Sequence, residues 1–261
     1  MIIDTHMHIF EDEYKDIIDE VINEAIDNDV RKMIAVGFDY QSSLKAIELA
    51  NKFPFIYASV GLHPSEVLKE KDKELKWIYE LAKNKKVIAI GEIGLDYYWD
   101  KSFVDEQKEM FIKQLNIANK LKLPVIIHCR DAINDCYKIV KTTNNKGVMH
   151  CFSSSLEMAK EFIKLGYYIG IGGVVTFKNS KEIKEIAKSV DLNKIVSETD
   201  SPYLTPEPFR GKLNKPGYTK YVVEEIAKLR NENIAKVKLI LEENANQLFN
   251  LWGRKWKKSK N

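Results

Sequence analysis

Six residues in this chain belong to types that bind divalent metals, and they recur at similar points of a repeated pattern. His6 and His8 form an HxH pair near the start. Glu92 lies in IAIGEIGLDYYWD, His128 in IIHCRD, His150 in VMHCFS and Asp200 in IVSETDSPYL. Each ends or follows a short apolar run rich in Ile and Val. His63, in GLHP, does the same, so all five histidines sit at run ends and none in an amphipathic stretch. Imidazole suits Zn, Ni or Fe, and carboxylate admits Mg or Mn. Residues i and i+2 of an extended segment point to one side, so His6 and His8 can grip one ion. Taken singly, each residue has a plainer explanation: a tight-turn acid at Glu92, satisfied core histidines at His128 and His150, a turn residue or N-cap at Asp200. Six such coincidences on one face are far less economical than a two-metal site.

The runs that position these residues read as strands at Met1–Thr5, Lys32–Gly37, Phe55–Gly61, Val87–Gly91, Pro124–His128, Gly147–Cys151, Tyr167–Gly172 and Lys194–Glu198. Several are apolar on both faces, as parallel strands covered by helices are. Between them, 3.6-residue periodicity predicts helices over Glu13–Asn28, Gln41–Lys52, Lys71–Lys83, Phe103–Leu121, Ala132–Lys141, Ser155–Leu165 and Lys181–Ser189. Thr219–Leu229 and Ile234–Leu251 follow. Ser155 is placed as an N-cap, and Gly166 and Gly147 as helix stops. Eight strand–helix repeats in a single domain spanning 1–261 predict a (β/α)8 TIM barrel with an extra C-terminal helix. A doubly wound open sheet would want a Gly-rich phosphate loop early, and THMHIFEDE has none. In a barrel the C-terminal ends of all strands share one rim, which is where the six residues converge. The irregular stretch Thr199–Tyr218 follows the eighth strand, and a loop of that length in a compact domain is usually functional.

Composition narrows the function classes. The chain has 261 residues, 44% of them hydrophobic and 30% charged, as in an ordinary globular protein. No apolar run is long enough for a transmembrane helix, and MIIDTHMHIF lacks a cationic leader, so a cytoplasmic protein is expected. Net charge is +3, but five cations fall in 253–261, read as a solvated, frayed tail. Without them 36 cations face 38 acids, which argues against a broad electrostatic grip on duplex DNA. The three cysteines, Cys129, Cys136 and Cys151, form no CxxC pair and read as buried small apolar residues.

At these residues the sequence resembles the TatD family of metal-dependent hydrolases and deoxyribonucleases, essentially end to end. The matching segments are DTHMHI, GLHP, GEIGLDYY, PVIIHCRDA, HCFS, GGVVTFKN, SETDSPYLTP and FRGKLNKP, in order, with a closing NANQLF. The resemblance implies that His6, His8 and Asp200 hold one divalent ion (Mg, Mn or Zn), that His128 and His150 hold a second, and that Glu92 bridges them. Related amidohydrolases often bridge with a modified lysine from the fourth strand, which here delivers Glu92 instead. The implied reaction is 3′–5′ exonuclease cleavage of DNA by a water or hydroxide shared between the ions, with Asp200 the candidate to accept the proton of the attacking water.

Arg130 and Arg210 are the leading phosphate contacts, because a guanidinium binds phosphate bidentately. Lys212 and Asn214 are weaker candidates. His63 reads as a substrate contact or an outer partner of the metal site, and it or a water would protonate the leaving oxygen. Glu198 reads as a barrel-interior residue or one that orients a ligand, and Asp96 has the same standing; Asp4 reads equally as a buried strand-end acid or as a partner of a ligand. Tyr97, Tyr98, Trp99 and Phe177 are candidates to stack on bases. The expected partner is DNA, single-stranded or at its ends, bound by a monomer with no membrane and no obligate protein partner. Its affinity should fall with salt less steeply than for a protein neutralising about 6–10 phosphates. The same site could instead cleave an ester or amide, for example as a D-aminoacyl-tRNA deacylase. A non-catalytic metal-binding module fits less well, because six donors for two ions leave open coordination positions.

Overall fold

The computed structural model describes residues 1–10 and 12–252, so the basic stretch 253–261 lies outside the described residues. Eight parallel strands follow in order around one sheet: β1 (Ile2–Met7), β2 (Val30–Val36), β3 (Ile56–Val60), β4 (Val87–Asp96), β5 (Val125–Arg130), β6 (Gly147–Met149), β7 (Tyr168–Ile171) and β8 (Ile195–Ser197). The seam between the first and last is closed by a parallel bridge from Met7 to Ser201. Asp200 N–H donates to the His6 carbonyl at 2.9 Å and His8 N–H to the Ser201 carbonyl at 2.7 Å. The helices are α1 (Ile18–Asp27), α2 (Tyr40–Lys52), α3 (Lys76–Leu81), α4 (Val104–Leu121), α5 (Ile133–Lys141), α6 (Leu156–Lys164), α7 (Lys181–Ser189), α8 (Thr219–Arg230) and α9 (Ile234–Leu248). This is the (β/α)8 barrel the alternation predicts. Among the described residues no helix is long and apolar enough to cross a membrane.

Two apolar cores hold the fold. The outer one lies between barrel and helices. The inner one fills the barrel with side chains such as Ile34, Ile88, Ile126, Val148 and Val196, and it is capped by Ala245 and Leu248 of α9 and by Phe249 and Leu251 just after it. The extra C-terminal helix is therefore the plug of the barrel's N-terminal end. Buried Lys32 secures it, donating to Asn246 Oδ1 at 2.8 Å and to the Leu251 carbonyl at 3.1 Å.

Several predicted boundaries shift. β1 runs through Met7 and β4 through Asp96, which puts His6 and Glu92 inside strands rather than after them. A 3-10 turn at Asp12–Tyr14 overlaps the start of the predicted helix 13–28, and the helix begins only at Ile18. The stretch 71–83 is helical only from Lys76. Asp72 accepts backbone N–H bonds from Glu74 and Lys76, and buried Leu75 sits left-handed at φ 51°, so the chain turns where periodicity predicts a helix. The last helix stops at Leu248, short of Leu251. Ser155 caps α6 as expected, and Gly166 follows that helix at φ 95°. Gly147 stops no helix. It opens β6, where a Cβ would lie 2.2 Å from the Val125 carbonyl.

Gly94 lies two residues past Glu92 on β4, at φ 145°, and a Cβ there would meet the His128 carbonyl oxygen at 1.9 Å. Gly94→Ala combines a disfavoured φ with a clash of two hydrogen-bonded strands. It should cost about 2–5 kcal/mol, read as a fall in the urea midpoint; a midpoint equal to wild type would show that β4 and β5 can separate freely.

Candidate metal centre

The C-terminal rim brings all six predicted donors together. His6 and His8 leave β1 with their Nε2 atoms 3.0 Å apart. Asp200, on the loop after β8, places Oδ1 3.6 Å from His6 Nε2 and 3.5 Å from His8 Nε2. The backbone bonds of the barrel seam hold this arrangement, since the same Asp200 N–H and His8 N–H that close the barrel fix both residues.

Glu92 is central and faces two ways. Its Oε2 lies 3.5 Å from His6 Nε2 and 3.7 Å from His8 Nε2. Its Oε1 lies 2.9 Å from His128 Nδ1, 3.2 Å from His150 Nε2 and 3.9 Å from His63 Nε2. Donor atoms converge closely enough to hold an ion in His6–His8–Glu92, in His63–Glu92–His128 and in His6–His150–Glu198. Two of these groups share Glu92, one through each oxygen. The donor set fits a divalent cation: two imidazole nitrogens face one another 3.0 Å apart, flanked by carboxylates, so a proton between them satisfies the pair without metal and a divalent cation would take its place.

The outer nitrogens of two of the four imidazoles are hydrogen-bonded, while His6 Nδ1 has no hydrogen-bond partner. His8 Nδ1 contacts the Val36 carbonyl at 2.7 Å, and His128 Nε2 contacts Asp96 Oδ2 at 3.0 Å. His150 Nδ1 lies 3.3 Å from Glu198 Oε1, off the line of a hydrogen bond. Such partners set the orientation of a ligating ring. Glu198 and Asp96 thus stand where the sequence reading placed them, each behind a different histidine. Asp4, left open above, is fully buried. It accepts from His6 N–H at 3.2 Å, Thr199 N–H at 3.0 Å and Thr199 Oγ1 at 2.6 Å, lashing β1 to the loop that carries Asp200.

Burial opposes every charge in this cluster, yet the partners win at most positions. Burial raises Glu92 and Asp200, but the histidines around them hold both carboxylates below their usual range. Burial lowers His128, but its bonds to Asp96 and Glu92 raise it to about 9. His8 and His150 are also raised, against burial, by Asp200 and Glu92 respectively. The metal-free site is therefore neutralised by protons, which a metal must displace. Below pH 9 a proton on His128 competes with metal, so affinity should rise about tenfold per pH unit for each proton displaced and level off above 9. Calorimetric titration with Zn or Mn in two buffers of different ionisation enthalpy counts the protons released. Binding that is flat between pH 6 and 8 would contradict this charge arrangement.

A cavity of about 250 Å³ opens on the cluster and is lined by His8, Glu92, His128, His150 and Asp200, with His63, Phe38, Ser65, Glu66 and Tyr203 completing it. His63 Nδ1 accepts from Ser65 N–H at 3.2 Å, which leaves Nε2 to carry the ring proton toward the cavity. Burial and the neighbouring His128 push its pKa down to about 3. It is a hydrogen-bond donor there, not a charged acid.

The predicted phosphate contacts stand differently. The Arg130 guanidinium lies over the Tyr98 ring at 3.6 Å and near Trp99 at 5.6 Å. Arg210 lies over Phe177 at 4.2 Å and Lys212 near Phe209 at 5.8 Å. None of these cations lines the cavity. Asn214 is buried and donates to the Thr199 carbonyl at 2.8 Å and to that of Tyr203, so it braces the loop. Tyr97 is half-buried and donates to Asp135. Tyr98 and Trp99 are exposed. Cys136 is buried as expected; Cys129 and Cys151 are only half-buried. Sequence reasoning missed Phe38, Ser65 and Tyr203. Only their positions just after β2, β3 and β8, on the rim, carry any signal of a site.

Known proteins resemble this chain over nearly its whole length. A family model described as TatD related DNase matches residues 3–250. The uncharacterized metal-dependent hydrolase YabD of Bacillus subtilis (strain 168) is 44% identical over 254 residues, covering 96% of this chain and 100% of the relative. The uncharacterized metal-dependent hydrolase YcfH of Escherichia coli (strain K12) is 34% identical, covering 96% of each. The crystal structure of YJJV, a TatD homologue from Escherichia coli K12, superposes with a TM-score of 0.91 at 30% identity, covering 95% of this chain and 98% of that one.

Proposed function

Because this chain belongs to the TatD family of metal-dependent hydrolases, we propose that it cleaves phosphodiester bonds of DNA, as a 3′–5′ exonuclease acting on single strands or ends. The observation that carries the reading is the two-sided Glu92, with His6 and His8 on one oxygen and His128 and His150 on the other. It supports two divalent ions, Mg, Mn or Zn, with Asp200 completing the His6–His8 side. When bound, such ions supply Lewis acidity, which lowers the pKa of water and polarises the bond to be cleaved.

The remaining chemistry belongs to the chain. Asp200, ionised and at the mouth of the cavity, accepts the proton of the attacking water. His63 donates its Nε2–H to a phosphoryl oxygen and, being uncharged, orients rather than protonates, so the leaving oxygen takes its proton from a water in the cavity. Tyr203 offers a ring for the nucleotide beside the scissile bond. Arg130 and Arg210 sit beyond the cavity wall and would meet phosphates further along the strand. We take the protein to act in the cytoplasm as a monomer without an obligate protein partner.

The test is metal-stripped protein incubated with end-labelled single-stranded DNA and added Mg, Mn, Zn or Co. A metal-dependent ladder shortening from the 3′ end is expected. DNA left intact with every metal, alongside turnover of an aminoacyl ester or cyclic amide, would replace the nuclease by an ester or amide hydrolase on the same centre.

A further inference from the structure

The opposite end of the barrel carries a different feature. Three turns enter consecutive strands there: 82–87 before β4, 119–124 before β5 and 141–147 before β6. Together they hold seven lysines and no acid. The other arc of the same end is mixed, with Asp27, Asp29 and Asp191 beside Arg31 and Lys194. The three turns are neighbours in space. β4 pairs with β5 through Ile90 and Val125, and stepping back three residues along the parallel strands sets Lys122 beside Val87, next to the Lys83–Lys86 turn. Val125 N–H donates to the Lys146 carbonyl at 2.9 Å. Asn119 Nδ2 donates to Asn145 Oδ1 at 3.3 Å, joining the turns that carry Lys120 and Lys146.

Some of these cations are already engaged. Lys83 pairs with Glu80, Lys86 is turned onto the carbonyls of Phe53, Pro54 and Ile56, and Lys141 lies over Tyr137. Lys120, Lys122 and Lys146 are exposed, and none has an acidic partner among the described residues. Three adjacent like charges without counter-charge raise the local potential and attract a polyanion.

We infer that this lysine arc binds the phosphate backbone of a nucleic-acid strand, as a tether separate from the metal-binding rim. The choice of polyanion rests on the function proposed above. The surface itself favours nucleic acid over an anionic membrane. The exposed polar groups of Asn144 and Thr142 lie among the lysines, and none of the exposed large apolar side chains falls in the three turns, so nothing there would enter a lipid surface. Lys122 and His128 are separated by the length of β5, about 20 Å at 3.3 Å per residue. A strand held at the arc reaches the rim only by passing outside the helices, so the tether acts on long substrates and not on short ones.

The test compares wild type with Lys120→Glu/Lys122→Glu/Lys146→Glu and with the milder triple Gln variant, each checked by thermal melting. Anisotropy of a labelled 30-mer of single-stranded DNA is measured in chelator across a salt series, and turnover of bis-p-nitrophenyl phosphate with metal. The Glu variant should bind about tenfold more weakly at low salt, with a log–log salt slope shallower by about 2, and the Gln variant less so. Turnover of the small diester should not change. Binding and slope equal to wild type in both variants would overturn the tether. So would loss of binding to vesicles containing phosphatidylserine while binding of the 30-mer persists, which would make the arc a membrane surface. Absence of diester turnover in wild type would instead count against the proposed hydrolysis and leave the binding result standing.

Discussion

Asp200→Asn should lower metal-dependent hydrolysis by about 10³-fold while leaving the fold intact. The substitution keeps the shape of the side chain and the backbone. Asp200 sits left-handed at φ 57°, a region Asn tolerates as well as Asp, and its N–H bond to the His6 carbonyl does not involve the side chain. What is lost is the charge. Burial works against that charge, and His8 with the surrounding imidazoles still holds the carboxylate ionised near neutral pH. The amide can neither accept the proton of the attacking water nor balance the cations beside it. The check is kcat/KM on the labelled oligonucleotide beside a melting curve. Activity within tenfold of wild type would remove Asp200 as the proton acceptor.

Glu92→Gln should be the costliest single charge removal for the metal-free protein. One carboxylate contacts His128 at 2.9 Å and His150 at 3.2 Å and faces His6, His8 and His63 within 4 Å. Removing it leaves buried imidazolium without its main partner, which costs about 3–5 kcal/mol. Because Glu92 titrates below its ordinary 4.5 in the fold, its stabilisation is present above that value and is lost as the pH falls through the folded pKa. The gap between wild type and variant in chelator, read from urea midpoints, should be full at pH 7 and narrow as the pH falls below 4.5. Metal affinity should fall about 100-fold, since the amide keeps one ligating oxygen but loses the other and the negative charge shared by the two sides. A variant as stable as wild type at pH 7 would mean that the histidines are neutral in the metal-free protein.

Most of the barrel is legible in the chain because most strands are short runs with Ile or Val buried on both faces, and most helices carry a 3.6-residue stripe. α7 and the Ser155 cap follow directly from local pattern. Reading fails where side chains override periodicity, as at Asp72 and Leu75, where captured N–H groups and a left-handed residue shorten α3. It also fails where a strand is extended by its neighbour: β4 continues past Gly91 because β5 pairs with it as far as Asp96 and Arg130.

The parallel alternation, the donor types and their place at strand ends are legible in the chain, because these depend on local composition and on a repeat that any barrel must share. Folding alone sets which oxygen of Glu92 faces which histidines, that Asp96 and Glu198 stand behind different rings, and that Arg130 and Arg210 rest on aromatic faces outside the cavity. Those are relations among residues on different strands, set by barrel closure and register, and no local pattern encodes them. The lysine arc shows the same division. The seven cations are visible in three separate turns, but that they adjoin at the end of the barrel opposite the metal centre follows from β4, β5 and β6 lying side by side.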